Sequence, residues 1–123
     1  MDVRMVKLVR TVARHENWDG VVKEAKALTW VDRVEHALLE TRDGQFLLVS
    51  GGYDGINLSI GPTGVTMTST NQTHDIARLC WHIHPRPTGP SDQDRRLLTL
   101  LGQQRSIVFE INGPVSGTTF GPK

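Results

Sequence analysis

The octapeptide ARLCWHIH, residues 77–84, has the clearest strand pattern in the chain. Apolar residues alternate in it with polar or reactive ones, which is the period of a half-buried β-strand. The alternation predicts that one face carries Ala77, Leu79, Trp81 and Ile83 and that the other carries Arg78, Cys80, His82 and His84. Histidines at i and i+2 of a strand project from the same face, so the imidazoles of His82 and His84 can reach a common point.

A loop and then a helix follow the two histidines. Residues 85–90 contain three prolines and a glycine, which exclude regular structure. Ser91 is a favourable N-cap for a helix that ends near Gly102. Asp94 opens an i, i+3, i+4, i+7 stripe in that helix, so its carboxylate is expected to face the core. The other members of the stripe are Leu97, Leu98 and Leu101.

These three polar side chains suit a divalent cation. A carboxylate that faces the core needs a partner, because an unpaired buried charge is costly. A cation would satisfy His82, His84 and Asp94 together and leave a fourth tetrahedral position for water, which is the layout of a catalytic zinc site. Zinc lowers the pKa of such a water to about 7 and so supplies a nucleophile at neutral pH. The simpler alternatives are an ordinary strand histidine pair and an Asp94 carboxylate that only caps its helix.

The remaining segments predict an α+β domain. Residues 1–30 have mainly helical spacing, with Asn17 or Asp19 as a possible cap. Residues 31–41 and 46–50 predict a β-hairpin around the turn at 42–45. Further short strands are expected at 56–60, 65–70, 106–111 and 118–120, with a polar connection and a short helical turn at 71–75. This order predicts a mixed sheet flanked by helices.

Length, charge and cysteine content narrow the class of protein. A chain of 123 residues suits one domain, and a formal net charge of +1 gives no general case for nucleic-acid binding. The single cysteine, Cys80, excludes an internal disulfide. No apolar run approaches the roughly 20 residues that span a bilayer. We therefore expect a cytoplasmic chain, or a part of an exported effector, with no membrane partner.

The segment His82-Ile83-His84-Pro85, followed by Ser91-Asp92-Gln93-Asp94, resembles the HxHP…SxxD signature of the JAB/JAMM metallopeptidase family. The resemblance covers roughly residues 30–112. It implies an MPN/JAB-like, cytidine-deaminase-like layered domain over 31–123 and leaves the first 30 residues unexplained. We expect the N-terminal helical segment at 1–30 to form one compact unit with that domain. The family usually has ten residues between the second histidine and the aspartate, whereas residues 85–93 provide nine.

The resemblance also implies a role for each site residue. His82, His84 and Asp94 would be zinc ligands, and Ser91 would donate a hydrogen bond to the oxyanion of the tetrahedral intermediate. Glu35, ahead of an apolar strand, would be the general base. Glu40 and the more distant Glu110 compete with Glu35 for that role, and a strand glutamate with no role is a further alternative.

The function implied is zinc-dependent hydrolysis of peptide or isopeptide bonds. The substrate would be a protein or peptide, with ubiquitin-like proteins among the candidates, and the short signature is similar to that of the bacterial branch associated with polymorphic toxins. One alternative is a catalytically inactive MPN-like scaffold that binds proteins. Another is a toxin domain that acts on nucleic acid, with His82 and His84 as acid and base. A zinc deaminase is disfavoured, because that chemistry needs a PCxxC motif and the chain has one cysteine.

Overall fold

The computed structural model describes residues 6–52, 55–62, 64–69 and 71–123. Two helices and eight strands lie within these ranges. In chain order they are β1 (Lys7–Val12), α1 (Trp18–Asp32), β2 (His36–Thr41), β3 (Phe46–Ser50), β4 (Ser59–Gly61), β5 (Gly64–Ser69), β6 (Gln72–His84), α2 (Asp92–Leu101), β7 (Ser106–Glu110) and β8 (Thr118–Phe120).

The strands form one mixed sheet. Its main path is β1-β3-β2-β6-β5-β4, and β7 pairs with β6 while β8 pairs with β7. The β6–β7 pair is parallel, and the other strand pairs are antiparallel. The prediction of an α+β domain with a mixed sheet flanked by helices is confirmed at this level.

The two helices cover opposite faces of the sheet. Along β2, Ala37 and Leu39 pack in one buried cluster with Leu98 of α2. Leu38 points the other way and packs in a second cluster with Ala25 of α1. Alternate residues of β2 therefore pack in two cores, one on each face of the sheet. Strand β2 lies between β3 and β6 and is buried on both faces.

The helical prediction for residues 1–30 is right for one part and wrong for another. Helix α1 begins after Asn17, whose side chain accepts a hydrogen bond from the backbone N–H of Asp19 at 2.8 Å. Residues 7–12, however, form β1 and pair with β3. A bulge between Leu8 and Arg10 breaks the alternation of apolar residues, which conceals the strand in the sequence. Residues 1–5 of that prediction lie outside the described residues.

The hairpin of β2 and β3 is confirmed, and two neighbouring predictions are corrected. Residues 56–58 have no regular structure, so that β4 is shorter than expected. Residues 72–75 are not a helical turn but the start of β6, paired with β5. Their polarity reflects exposure at this end of the sheet rather than a connection.

A bulge in β6 also changes which side chains share a face. Trp81 pairs with Leu38, whereas Leu79 pairs with Leu39, so Cys80 is the extra residue between two register positions. Leu79 packs in the α2-side core, while Cys80 and Trp81 both pack in the α1-side core. The predicted common face of Leu79 and Trp81, and of Cys80 and His82, was therefore wrong. No helix within the described residues is long and apolar enough to cross a membrane.

Candidate metal centre

His82 and His84 lie at the end of β6, beyond the bulge, so the predicted i and i+2 relation holds for them. Their Nε2 atoms are 3.0 Å apart. Both side chains are buried, with 1% and 3% of the residue surface exposed. The strand thus holds two imidazoles against each other in the interior.

The first turn of α2 brings in Asp94. The Ser91 side chain accepts a hydrogen bond from the backbone N–H of Asp94 at 3.1 Å, and Asp94 Oδ2 accepts one from the backbone N–H of Ser91 at 2.9 Å. This capping box fixes the carboxylate at the start of the helix. The same Oδ2 lies 3.2 Å from Nε2 of His82 and 3.2 Å from Nε2 of His84.

Glu35 reaches the histidines from the residue before β2. Its backbone continues the pairing of the β2–β3 hairpin, since its N–H donates to Gly52 and its carbonyl accepts from Gly51. Its Oε2 is 3.5 Å from Nε2 of His84, and the residue is 4% exposed. A Cβ at Gly51 would lie 2.6 Å from the carbonyl oxygen of Gly55, so this loop needs glycine to close beside Glu35.

Glu35, His82, His84 and Asp94 together form a buried group that could bind a metal ion, because one ligand atom from each lies within 4.8 Å of all the others. A tetrahedral ion with bonds of about 2.0–2.1 Å places its ligand atoms about 3.3 Å apart. The three separations among His82, His84 and Asp94 are 3.0, 3.2 and 3.2 Å. These three atoms therefore approximate one face of a tetrahedron.

The electrostatics of the group suit a cation. Burial by itself would raise the pKa of Asp94, but hydrogen bonds with His82 and His84 hold that pKa well below its usual range, so the carboxylate is ionised. Burial lowers the pKa of His82 and favours its neutral, ligating form. Burial would also lower the pKa of His84, but its hydrogen bond with Asp94 and the nearby acidic charges raise it instead. A cation would relieve this excess of negative charge.

The two imidazoles are oriented by different neighbours. Nδ1 of His84 pairs with the hydroxyl of Thr88 at 3.0 Å, which is the outer contact that commonly orients a metal-ligating histidine. Nδ1 of His82 has no hydrogen-bond partner in the described part of the chain. Its ring packs instead against the ring of Phe120, with centroids 5.7 Å apart and an angle of 80° between the planes.

Other candidate residues lie in different contacts. Glu40 forms an ion pair with Arg78 at 3.0 Å, and Glu110 accepts a hydrogen bond from the backbone N–H of Gly89 at 3.0 Å. Cys80 is buried on the α1 side, and burial raises the pKa of its thiol to about 12. Sequence reasoning missed Thr88; its only signal is a hydroxyl in the loop, four residues after His84.

No protein-family model, curated protein or solved structure matches this chain.

Proposed function

We propose that the chain is a zinc-dependent hydrolase of peptide or isopeptide bonds, with an MPN/JAB-like fold and a JAMM-type site. The proposal depends on one observation: the HxHP segment at the end of β6 and the SxxD segment at the start of α2 place three potential ligand atoms within 3.2 Å of one another in the interior. Glu35 adds a second carboxylate at the same point. Two imidazoles and one carboxylate are the ligand set of several catalytic zinc sites.

His82, His84 and Asp94 would hold the ion, and zinc would supply Lewis acidity and an activated water. Glu35 would then accept a proton from the attacking water and pass it to the leaving amine. Its position supports this role, because the carboxylate adjoins His84 at 3.5 Å while its backbone is fixed by the glycine loop. Glu40 is a weaker candidate, since its carboxylate pairs with Arg78.

Ser91 would stabilise the oxyanion. Its Oγ accepts the N–H of Asp94, a contact that uses an oxygen lone pair and leaves the hydroxyl proton to be donated elsewhere. Ser91 is partly exposed, whereas Asp94 beside it is buried. A hydroxyl at this boundary can meet a substrate carbonyl and hydrogen-bond the charge that develops on it.

Metal analysis combined with hydrolysis assays tests the proposal. The wild type should purify with about one zinc per chain and cleave peptide or ubiquitin-like isopeptide probes, with chelator removing both properties. His82→Ala and Asp94→Ala should lose zinc. Glu35→Gln should keep zinc and lose hydrolysis, while Glu40→Gln should keep both.

Three outcomes would contradict the proposal. A wild-type protein that takes up no zinc at micromolar concentration would remove the metal centre. Preserved turnover by Glu35→Gln would remove Glu35 from the mechanism. RNA cleavage that survives EDTA, without peptide cleavage, would favour the nucleic-acid alternative.

A further inference from the structure

The segment between His84 and Asp94 is rich in proline, and yet the two side chains that flank it lie close together. Nine residues join the two ligands, and six of them, 85–90, form a loop with three prolines. Such a loop has few backbone N–H groups to anchor it. Yet Nε2 of His84 and Oδ2 of Asp94, at its two ends, are held 3.2 Å apart.

One contact ties this loop to the sheet from outside the signature. Glu110, the last residue of β7, lies in register with His84 on the parallel strand β6. Its Oε2 accepts a hydrogen bond from the backbone N–H of Gly89 at 3.0 Å. Gly89 has a φ of +66°, a conformation that glycine adopts without strain, so the N–H can turn toward the strand.

Gly113 lies close to Glu110. The backbone N–H of Gly113 donates to the Glu110 carbonyl, and a Cβ at position 113 would lie 3.1 Å from Glu110 Oε1. Glycine at this position therefore makes room for the side chain. On the other side of the loop, Thr88 holds His84 Nδ1 at 3.0 Å. Two consecutive loop residues are thus hydrogen-bonded to strand residues, Gly89 to Glu110 and Thr88 to His84.

We propose that Glu110 is a positioning residue for the metal centre, which holds the loop so that His84 and Asp94 meet at one ion. The proposal rests on the metal site of the proposed function. In this role Glu110 transfers no proton, which distinguishes it from the alternative general base suggested by the sequence. The contact that holds the loop in this proposal is the hydrogen bond from the backbone N–H of Gly89 to Glu110 Oε2.

Zinc affinity and exchange of loop amides with deuterium test this role. Loss of an outer contact typically weakens metal binding about 10- to 100-fold. We expect Glu110→Ala to show that loss in competition with a chromophoric chelator, and residues 85–91 of its metal-free form to exchange faster. Glu110→Gln, which keeps an acceptor oxygen, should restore both values to within a few-fold of wild type. Glu40→Ala, a glutamate outside the loop contacts, is the matched control.

The outcomes separate this proposal from the proposed function. If the wild type binds zinc but cleaves no probe, the proposed hydrolase activity is wrong. The zinc affinities of wild type and Glu110→Ala would still test the positioning role of Glu110. Equal zinc affinity in Glu110→Ala and wild type would overturn the positioning role, as would equal exchange of the loop amides. The positioning role would also be wrong if Glu110→Gln failed to restore zinc affinity, because zinc binding would then depend on the charge of Glu110 and not on its hydrogen bond. A wild type without zinc affinity overturns both.

Discussion

At the scale of single residues, metal binding at the candidate centre would depend on contacts just outside the four buried side chains. Thr88 pairs with Nδ1 of His84 at 3.0 Å and so fixes the direction of Nε2 toward Asp94. Thr88→Val has nearly the same shape but removes the hydroxyl. We expect it to weaken zinc binding about 10-fold or more, measured by chelator competition. Thr68→Val, which removes an exposed hydroxyl paired with Thr73, should leave zinc affinity unchanged; equal losses in both variants would contradict the prediction.

The sequence predicted which residues converge because short-range rules apply to them. Two histidines two residues apart on a strand share a face, and an aspartate three residues after a serine cap lies in the first turn of a helix. Glu35 was harder, since period-two alternation left both faces of residues 34–38 partly apolar. Its backbone pairing with Gly51 and Gly52 decides the face, and such pairing is a tertiary property.

At the scale of elements, the residues that cap helix α2 also belong to the candidate site, so the same contacts stabilise the helix and position Asp94. The Ser91 side chain accepts the N–H of Asp94, so Ser91→Ala leaves that donor without its partner. We expect a loss of about 1 kcal/mol in the free energy of unfolding of the metal-free protein, measured in urea. Ser91→Thr keeps a capping hydroxyl and should recover most of that loss. A Ser91→Ala variant as stable as wild type would show that the cap does not stabilise the helix.

Arg10 of β1 pairs with Glu24 of α1 and with Glu16 in the turn before α1, and the contact with Glu16 depends on pH. The Arg10 guanidinium bonds Glu16 and Glu24, and the hydrogen bond from Arg10 lowers the pKa of Glu16 to about 2. The pKa is lower in the folded state than the roughly 4.3 of an unfolded chain, so the contact stabilises fully above that value. Its contribution is lost as the pH falls from about 4.3 to about 2.

A comparison with Glu16→Gln tests that pH dependence. The wild type should have the higher urea midpoint at pH 6, and the difference should shrink as the pH falls toward 2. Because Arg10 and Glu16 are both partly exposed, the difference should be small and should decrease at high salt. A difference that stays constant from pH 6 to pH 2 would contradict the assignment.

Elements were predicted well where one period ran unbroken, and poorly where a bulge interrupted it. Helix α2 and strand β7 follow such patterns, and the expected segments match them closely. The bulges at Leu8/Arg10 in β1 and at Cys80 in β6 each shift the alternation by one residue. A local pattern cannot reveal such a shift, because it is defined only by the register with the paired strand.

At the scale of the whole molecule, the site lies where separate parts of the fold meet. Glu35 precedes β2, His82 and His84 end β6, and Asp94 begins α2, so metal binding would link the hairpin, the long strand and the helix. The ligands are buried in the folded chain and dispersed in the unfolded one. Free energy of metal binding at such a site therefore adds to the free energy of unfolding.

Zinc should accordingly raise the stability of the whole domain. At a free zinc concentration 100 times the dissociation constant, the gain is about 2.7 kcal/mol, which corresponds to an increase of roughly 10 °C in Tm. Calorimetry with zinc buffered across a range of free concentrations should show Tm rising with the logarithm of zinc, and Asp94→Ala should abolish that slope. Glu35→Gln should retain most of that dependence of Tm on zinc. In the proposed mechanism Glu35 is the general base and not a required ligand, so its loss affects turnover more than zinc binding. If instead Tm is independent of zinc in the wild type, the four buried side chains form a hydrogen-bonded cluster, and the metal centre is ruled out.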